Sequence, residues 1–245
     1  MRENSVKTES AGSGLLSGRA AVVTGAARGI GAAISLAFAR EGARLCLVDR
    51  AAGDALESAA AQCAEFGAEV TTVGADVSVE ADVTSAIAHA VAEFDSVDIL
   101  VNNAAILTNC PVADMSAKMF DETLAVDLRS VFLGCRAVLP TMLAAGYGRI
   151  INIASQLALK GGPGLAHYSA AKAGVIGFHQ IAGARGRRQR DHRQLHRPGP
   201  HRHAHSGRRA RRKGRGHPAE PAVTTDRHPG GGGAERGAAG QRTGR

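Results

Sequence analysis

The sequence is poor in cysteine and aromatic residues and lacks tryptophan. Its 245 residues include four cysteines, widely spaced and without a CxxC pair, which excludes a disulfide scaffold or a zinc framework and makes a reducing cytoplasm the expected location. Six Phe and two Tyr are too few for the stacking platforms of single-stranded nucleic-acid-binding proteins. The polar N-terminus resembles no signal peptide, and no apolar run approaches the roughly 18 residues of a membrane span, so we expect no membrane partner.

The net charge of +8 comes entirely from one end of the chain. Residues 1–178 carry 13 Lys and Arg against 18 Asp and Glu, a net charge of −5, whereas residues 179–245 carry 17 against 4, a net charge of +13. This basic tail has too few large apolar residues to offset the entropy of ordering it. We therefore predict a disordered segment at residues 1–16, a folded domain at residues 17–178 and a basic tail at residues 179–245.

Strand-like and helix-like patterns alternate along the folded domain. Buried strands are predicted by apolar runs at residues 20–24, 45–48, 69–73, 99–101 and 149–153, and helices by amphipathic stretches at residues 30–40, 54–66, 82–94 and 118–143. The alternation predicts an α/β domain with a Rossmann-like, doubly wound parallel sheet. Ligands of such sheets bind beyond the carboxyl ends of the strands, where the strand order switches.

Three glycines between the first strand and the first helix predict a dinucleotide site. Gly25, Gly29 and Gly31 allow a tight turn, let the backbone approach a pyrophosphate, and let the helix pack on the strand. Free N–H groups and the helix dipole then favour phosphate at the helix N-terminus. For the glycines alone, an ordinary tight turn is the alternative interpretation.

An acidic residue after the second strand favours NAD over NADP. Asp49 follows Gly31 by 18 residues, close to the spacing at which a carboxylate receives the ribose hydroxyls and repels a 2′-phosphate. NADP stays open because the guanidinium groups of Arg28 and Arg50 are close in sequence to the same site.

A tyrosine and a lysine form the strongest candidate for catalysis. Tyr168 and Lys172 are four positions apart and therefore share one face of a helix. The pKa of a phenol in water is about 10, and a cation within about 4–6 Å lowers it by favouring the ionised form. The pair therefore predicts a general acid or base. Ser155, just after the fifth strand, is predicted at the same end of the sheet. A tyrosine and lysine on an exposed helix face, with a serine cap, is the alternative.

Together these motifs resemble the short-chain dehydrogenase/reductase family over about residues 17–178. The glycine spacing G-x-x-x-G-x-G, the Tyr-x-x-x-Lys pair and a serine thirteen residues before the tyrosine all match that family. Residues 74–77 (GADV) and 102–105 (NNAA) resemble two further family segments, with Ala105 replacing a glycine. The resemblance implies hydride transfer between a nicotinamide cofactor and a carbonyl or secondary alcohol, as in 3-oxoacyl reductases, by a homo-oligomer.

The resemblance also implies a role for individual residues. Tyr168 would exchange a proton with the substrate oxygen, Ser155 would hold that oxygen by a hydrogen bond, and Lys172 would bind the nicotinamide ribose and stabilise the phenolate. The expected cofactor-binding residues are Thr24, Gly25, Arg28, Gly29, Ile30, Gly31, Asp49, Arg50, Asp76, Val77, Asn102, Ala104, Tyr168 and Lys172.

Asp127 departs from the family pattern. The segment 124–132 resembles the family's long-helix motif, in which an asparagine stands where this chain has Asp127. That asparagine acts through its main chain, so we predict Asp127 as a fourth catalytic residue whose charge alters the pH dependence. An ordinary helix charge paired with a neighbour is the alternative.

Apolar residues are predicted around the substrate. Ile106, Leu107, Leu157 and Leu165 would line the pocket, with Gln156 as a polar contact. We therefore expect a neutral or hydrophobic carbonyl or alcohol as the small-molecule partner.

The basic tail has three interpretations. Its arginines would neutralise phosphates in a protein that binds nucleic acid or an acidic partner, and its alternating histidines would form a weak metal chelator. Alternatively, the reading frame has changed: one base later, with permitted synonymous codons, residues 179–185 read TKSLALE and residues 194–204 read NCIAPGPIDTP, which resemble the family here. Resequencing the gene through codon 179 tests this hypothesis.

The tail as written removes family elements. The sheet would lack its last strands, the substrate loop and the usual subunit interface, so the fold is predicted to be incomplete at its C-terminal side. We therefore predict weak stability and little or no activity for this polypeptide, with no metal in the site.

Overall fold

The computed structural model describes residues 14–191, with side chains described up to residue 180. Helices pack on both faces of one sheet, which gives three layers. The strands are β1 (Ala20–Thr24), β2 (Arg44–Asp49), β3 (Val70–Gly74), β4 (Ile99–Asn102) and β5 (Arg149–Asn152). The helices are α1 (Gly29–Arg40), α2 (Asp54–Ala64), α3 (Glu80–Phe94), α4 (Ala117–Leu124), α5 (Ser130–Ala145), α6 (Leu157–Lys160) and α7 (Ala166–Asp191). The predicted strands agree with these to within about a residue at each end.

The five strands form one parallel sheet in the order β3-β2-β1-β4-β5. The chain crosses from β3 back to β4 beside β1, so the strand order switches between β1 and β4. The Rossmann-like, doubly wound fold is confirmed, and the carboxyl ends of β1 and β4 mark the place where a ligand binds in such sheets.

The core lies on both faces of the sheet, because successive strand residues point to opposite sides. On one face, Val22 and Leu100 pack with Phe94 of α3 and Val138 of α5. On the other face, alternate residues of β1 and β2 pack with α1 and α2. Helix α1 approaches closely because its buried residues Gly31, Ser35 and Ala39 are small and repeat every four positions.

The long helix predicted at residues 118–143 is interrupted. A π-helical turn at Ala125–Arg129 separates α4 from α5, and the sequence did not reveal it because these residues include no glycine or proline. By length and composition alone, the stretch Ala117–Ala145 is apolar enough to cross a membrane, which is weak evidence because buried core helices satisfy the same criterion. Val131, Leu133 and Val138 of this stretch are buried in the core.

The described fold extends past both predicted boundaries of the folded domain. Residues 14–16, predicted as part of a disordered segment, form a turn in which the Leu16 amide donates to the Glu41 carbonyl oxygen over 3.0 Å. Helix α7 continues to Asp191, beyond the predicted boundary at residue 178. Residues 1–13 and 192–245 lie outside the described residues, and with them most of the predictions for the basic tail.

Candidate active site

The glycine turn, residues 25–31, lies between β1 and α1 at the switch in strand order. Gly25 and Gly29 have φ angles of +66° and +59°, which L-residues with a side chain rarely adopt. A Cβ on Gly31 would overlap the carbonyl oxygen of Gly25, so the backbone itself fills the space that a side chain would take. The turn therefore has the close backbone packing that a pyrophosphate site requires.

Thr24 and Asn103 join this turn to the end of β4. The Thr24 hydroxyl donates to the Val101 carbonyl and accepts from the Asn103 and Ala104 amides, over 3.0 to 3.2 Å. The Asn103 side chain donates to the carbonyl oxygens of Thr24 and Gly25 over 2.9 and 3.1 Å. These hydrogen bonds hold the carboxyl ends of the two central strands in one arrangement.

Asn103 was not among the predicted cofactor-binding residues, whereas Asn102 was. The Asn102 side chain is 6% exposed and donates to the Asn152 side chain of β5 over 2.8 Å. It also lies against Gly134 of α5, where a Cβ would collide with it. Asn102 thus joins β4 to β5 and α5 through its side chain. Its predicted contact with the cofactor stays a prediction.

Asp49 lies beside the glycine turn, as the spacing predicted. Its carboxylate accepts from the Ala27 amide over 3.1 Å and from the Arg50 amide over 2.8 Å, which leaves further acceptor positions on both oxygens. Arg28 and Arg50 are both exposed.

Asp76 and Val77 follow the carboxyl end of β3, at the same edge of the sheet as the glycine turn. The Ser78 hydroxyl and amide donate to the Asp76 carboxylate over 2.6 and 2.9 Å, and these hydrogen bonds hold its pKa below the ordinary value. Asp76 is therefore ionised at neutral pH, and Val77 is buried.

Lys172 connects the predicted catalytic residues. Its ammonium donates to the Ile153 carbonyl over 3.1 Å, two residues before Ser155, and lies 5.8 Å from the centroid of the Tyr168 ring. Ser155 follows β5, and its hydroxyl accepts from the Leu157 amide over 3.2 Å at the start of α6. Lys172 therefore sets α7 against the end of β5, so that the three residues belong to one end of the sheet.

Asp127 faces Lys172 from the π turn. The carboxylate is fully buried, and its Oδ2 lies 3.8 Å from the Lys172 ammonium, which is itself 2% exposed. Its Oδ1 accepts from the Ile106 amide over 2.8 Å. The aspartate is therefore paired with a cation inside the protein, where water screens the charges very little.

Burial changes the proton affinity of both partners. Loss of hydration raises the pKa of Asp127, and the Ile106 amide and the Lys172 charge oppose this change. Loss of hydration likewise lowers the pKa of Lys172, and the Asp127 charge opposes that change. The two charges depend on each other, so a change in either alters the other.

The residues predicted to line the substrate pocket belong to the segments that follow β4 and β5. Ile106 and Leu107 follow β4, and Leu107 is 62% exposed. Gln156 is exposed, and Leu157 begins α6. Across the described residues up to 180, no cluster of three or more His, Cys, Asp or Glu side chains has the arrangement of a metal site.

Sequence comparison finds relatives for this part of the chain. A family model described as short chain dehydrogenase matches residues 19–189. D-threitol dehydrogenase of Mycolicibacterium smegmatis is 42% identical over 169 residues, which are 69% of this chain and 65% of that protein. The 2-(R)-hydroxypropyl-CoM dehydrogenase of Xanthobacter autotrophicus is 41% identical over 161 residues, 64% of either chain. A 3-oxoacyl-(acyl-carrier-protein) reductase of Chlamydia trachomatis is 38% identical over 168 residues, 68% of this chain and 67% of that one.

Two solved structures are also similar to this chain. NAD+-bound xylitol dehydrogenase superposes with a TM-score of 0.66 at 34% identity, over 69% of this chain and 65% of that one. Levodione reductase superposes with a TM-score of 0.67 at 34% identity, over 70% and 68% of the two chains. The chain spans 64% and 65% of the length of the first two curated relatives, so the match covers only part of each protein.

Proposed function

Because the chain belongs to the short-chain dehydrogenase family, we propose that it is an oxidoreductase that transfers a hydride between a nicotinamide dinucleotide and a carbonyl or secondary-alcohol carbon. The arrangement around Lys172 carries the proposal. A buried ammonium there lies between the Tyr168 ring, the main chain before Ser155, and Asp127. A lysine and tyrosine on an exposed helix face would not be held in this way.

The residues at the glycine turn fit a dinucleotide. A Cβ on Gly25 or Gly31 would collide with neighbouring protein atoms, whereas a Cβ on Gly29 meets nothing within 4 Å, so open space adjoins the turn at Gly29. The first-turn amides of α1 follow Arg28, whose side chain does not cap them. In the proposal these amides and glycines hold the pyrophosphate, Asp49 accepts from the adenosine ribose, and Asp76 and Val77 contact the adenine. A bound nicotinamide would supply or accept the hydride.

The chain's own residues manage the proton and the substrate oxygen. Tyr168 gives its hydroxyl proton to the carbonyl oxygen in reduction and takes it back in oxidation. The Ser155 hydroxyl donates a hydrogen bond to the same oxygen and stabilises its developing charge. Lys172 stabilises negative charge on the Tyr168 oxygen, and Asp127 with the Ile153 carbonyl holds Lys172 in place.

NAD is the favoured nucleotide in this proposal. The Asp49 carboxylate lies beside the turn and would repel a 2′-phosphate, whereas the exposed guanidinium of Arg50 lies close enough to the Asp76 carboxylate to lower its pKa. NADP is the alternative, through Arg28 and Arg50. The four cysteines are free thiols, as expected in a reducing compartment, and we include a cytoplasmic location in the proposal.

The substrate in this proposal is a small carbonyl or alcohol with apolar surface near the reacting carbon. The exposed side chains of Leu107, in the loop after β4, and Leu159, in α6, support it. Homo-oligomerisation is also part of the proposal, supported by an apolar groove between the π turn and α7 that includes Leu128, Phe132 and Phe178.

The test compares two tyrosines. Tyr168→Phe is expected to lower turnover about 100- to 10,000-fold, because it removes the general acid, and NADH fluorescence measures separately how much cofactor binding is lost. Tyr147→Phe is the matched control, since Tyr147 lies next to β5 between Arg19 and Arg149 and away from Lys172. The parent rate is expected to be low, so the ratio between variants decides. Equal rates in the two variants would contradict the proposal.

The alternative, a protein that binds nucleic acid or an acidic partner through its basic tail, has no support from the relatives. Its residues lie largely outside the described range. A DNA mobility shift that salt abolishes, and that is lost on deleting residues 179–245, would favour it.

A further inference from the structure

The substrate-side loop, residues 103–116, runs from β4 to α4 without a helix or strand but is held at several points. The Ile106 amide donates to Asp127 in the π turn over 2.8 Å. The Asn109 side chain donates to the Pro163 carbonyl over 3.1 Å, and the Cys110 amide donates to the Gly164 carbonyl over 2.8 Å. A Cβ on Gly164 would collide with Asn109, so the loop and the segment before α7 are in close contact.

His167 adds a contact to α7 itself. The imidazole Nε2 lies 2.8 Å from the Thr108 hydroxyl, in the middle of the loop. His167 is fully buried in the first turn of α7 and immediately precedes Tyr168. Because successive helical residues point about 100° apart, the histidine reaches the loop while the tyrosine points in another direction.

Burial alone does not explain a histidine here. An apolar side chain would fill the space without cost, whereas the buried imidazole Nδ1 has no hydrogen-bond partner within the described part of the chain. Burying an unpaired polar atom is unfavourable. The single hydrogen bond to Thr108 is therefore the contribution that distinguishes His167 from a core residue.

Leu107 lies between two of these contacts. The main chain of Ile106 is held by Asp127 and the side chain of Thr108 by His167, while the Leu107 side chain is 62% exposed. Fixing the residues on both sides fixes the direction of Leu107, which lies in the loop that follows β4 at the candidate site.

We propose that His167 is a positioning residue that holds the substrate-side loop against α7 through Thr108 and so sets Leu107 for contact with the substrate. The assignment to substrate rests on the proposed function. The assignment to the loop does not, because the contacts belong to the chain alone.

Four variants test the hydrogen bond. Thr108→Val and His167→Leu remove it with little change in volume, whereas Thr108→Ser and His167→Gln keep a hydrogen-bonding group at the same position. Thr71→Val is the matched control, because Thr71 of β3 makes an equivalent 2.8 Å contact with His89 of α3, outside the loop.

Hydrogen–deuterium exchange of residues 104–110 in the full chain is the first measurement. Thr108→Val and His167→Leu are expected to speed exchange about five- to tenfold, as for the loss of one hydrogen bond, while Thr108→Ser, His167→Gln and Thr71→Val exchange like the parent. Exchange at the parent rate in both disrupting variants would overturn the proposal. Faster exchange throughout the fold, unrestored by the conservative variants, would do the same.

Steady-state kinetics is the second measurement, with NADH and a ketone. Thr108→Val is expected to raise KM for the ketone about fivefold, with kcat and the affinity for NADH unchanged and with recovery in Thr108→Ser. Faster loop exchange with an unchanged KM would overturn the assignment to substrate. A parent chain that binds NADH but shows no turnover would agree with the loss of activity predicted from the tail and would contradict the proposed hydride transfer by this chain, and the exchange measurement alone would then decide whether His167 holds the loop.

Discussion

The two sides of the candidate site are held together by different kinds of interaction. On the nucleotide side, the glycine turn, Thr24 and Asn103 are joined by close backbone packing and by hydrogen bonds between neutral groups. On the proton side, α7 is joined to the π turn by the buried pair of Lys172 and Asp127. The first side thus depends on shape and the second on charge, so a change in pH acts mainly on the second.

The strands that carry these two sides differ in how deeply they are buried. The nucleotide side rests on β1 and β2, whose residues are buried almost throughout. The proton side rests on β5, the edge of the described sheet, where Ile151 is 41% exposed. An exposed edge strand opens more readily than a central one, so the proton side is expected to be the less stable part of the site.

The largest effect is expected from breaking the packing of the nucleotide side. In Gly31→Ala the new Cβ overlaps the Gly25 carbonyl, so the turn must move away from the position in which we propose that it binds phosphate. Each hydrogen bond to a charged group contributes roughly 1.5–3 kcal/mol, so nucleotide binding is expected to weaken about 10- to 100-fold. Titration of NADH fluorescence measures this change.

Gly177→Ala is the matched control for that substitution. A Cβ on Gly177 of α7 meets nothing within 4 Å, so nucleotide affinity is expected to stay unchanged, and the helix gains stability of about 0.5–1 kcal/mol. Equal NADH affinity in the two alanine variants would show that the nucleotide side does not depend on close backbone packing.

An intermediate effect is expected from the Asp49 carboxylate, which in our proposal sets the selectivity between NADH and NADPH. Asp49→Ser removes the carboxylate that would repel a 2′-phosphate, so the preference for NADH over NADPH is expected to fall about tenfold. Binding of both nucleotides is measured in parallel. Asp54→Ser, at the exposed start of α2, is the control. A ratio that stays the same in Asp49→Ser would contradict the assignment of NAD.

The smallest effect is expected from Asp127→Asn, which keeps the shape of the proton side and removes one charge. Burial lowers the pKa of Lys172, and the Asp127 charge opposes this, so the substitution is expected to lower that pKa further and move the alkaline loss of activity to lower pH. The Lys172 pKa is lower in the folded than in the unfolded state. The contribution of Lys172 to the free energy of unfolding is therefore most favourable above the ordinary lysine pKa and is lost as the pH falls through the lowered value.

Denaturant unfolding over a range of pH tests the same prediction without turnover. Asp127→Asn is expected to be less stable than the parent at pH values where Lys172 is charged, with a difference that narrows as the pH rises. Asp121→Asn, on the exposed face of α4, is the control and is expected to follow the parent. A pH-independent difference for Asp127→Asn would mean that the pair contributes no charge effect.

The fold was largely predictable from the sequence because its signals are local. The apolar runs of β1 and β2 and the small residues Gly31, Ser35 and Ala39 specify strands and a close helix without reference to the rest of the chain. The π turn at Ala125–Arg129 was not predictable, since residues 125–129 contain no glycine or proline that would mark an interruption of the predicted helix.

The site was predictable where the spacing along the chain determines the geometry, and not where distant segments meet. The four-residue separation of Tyr168 and Lys172 places them on one helix face in any context. Asn103 and His167 were missed because their partners, Gly25 and Thr108, are far away in sequence, and neither residue belongs to a periodic pattern. Asp127 was found only as a departure from the family, and its contact with the Ile106 amide came from the structure.

The π turn has a consequence for the evolution of this chain. An extra residue in a helical turn rotates everything beyond it by about 100°, so α4 and α5 present faces that a single regular helix would not align. The face of α5 is committed to the core, whereas the turn itself carries Asp127 to the site. Deletion of one residue here would restore a regular helix, in which α5 could not face the core while Asp127 faces the site. Insertions and deletions should therefore be tolerated less well at residues 125–129 than substitutions.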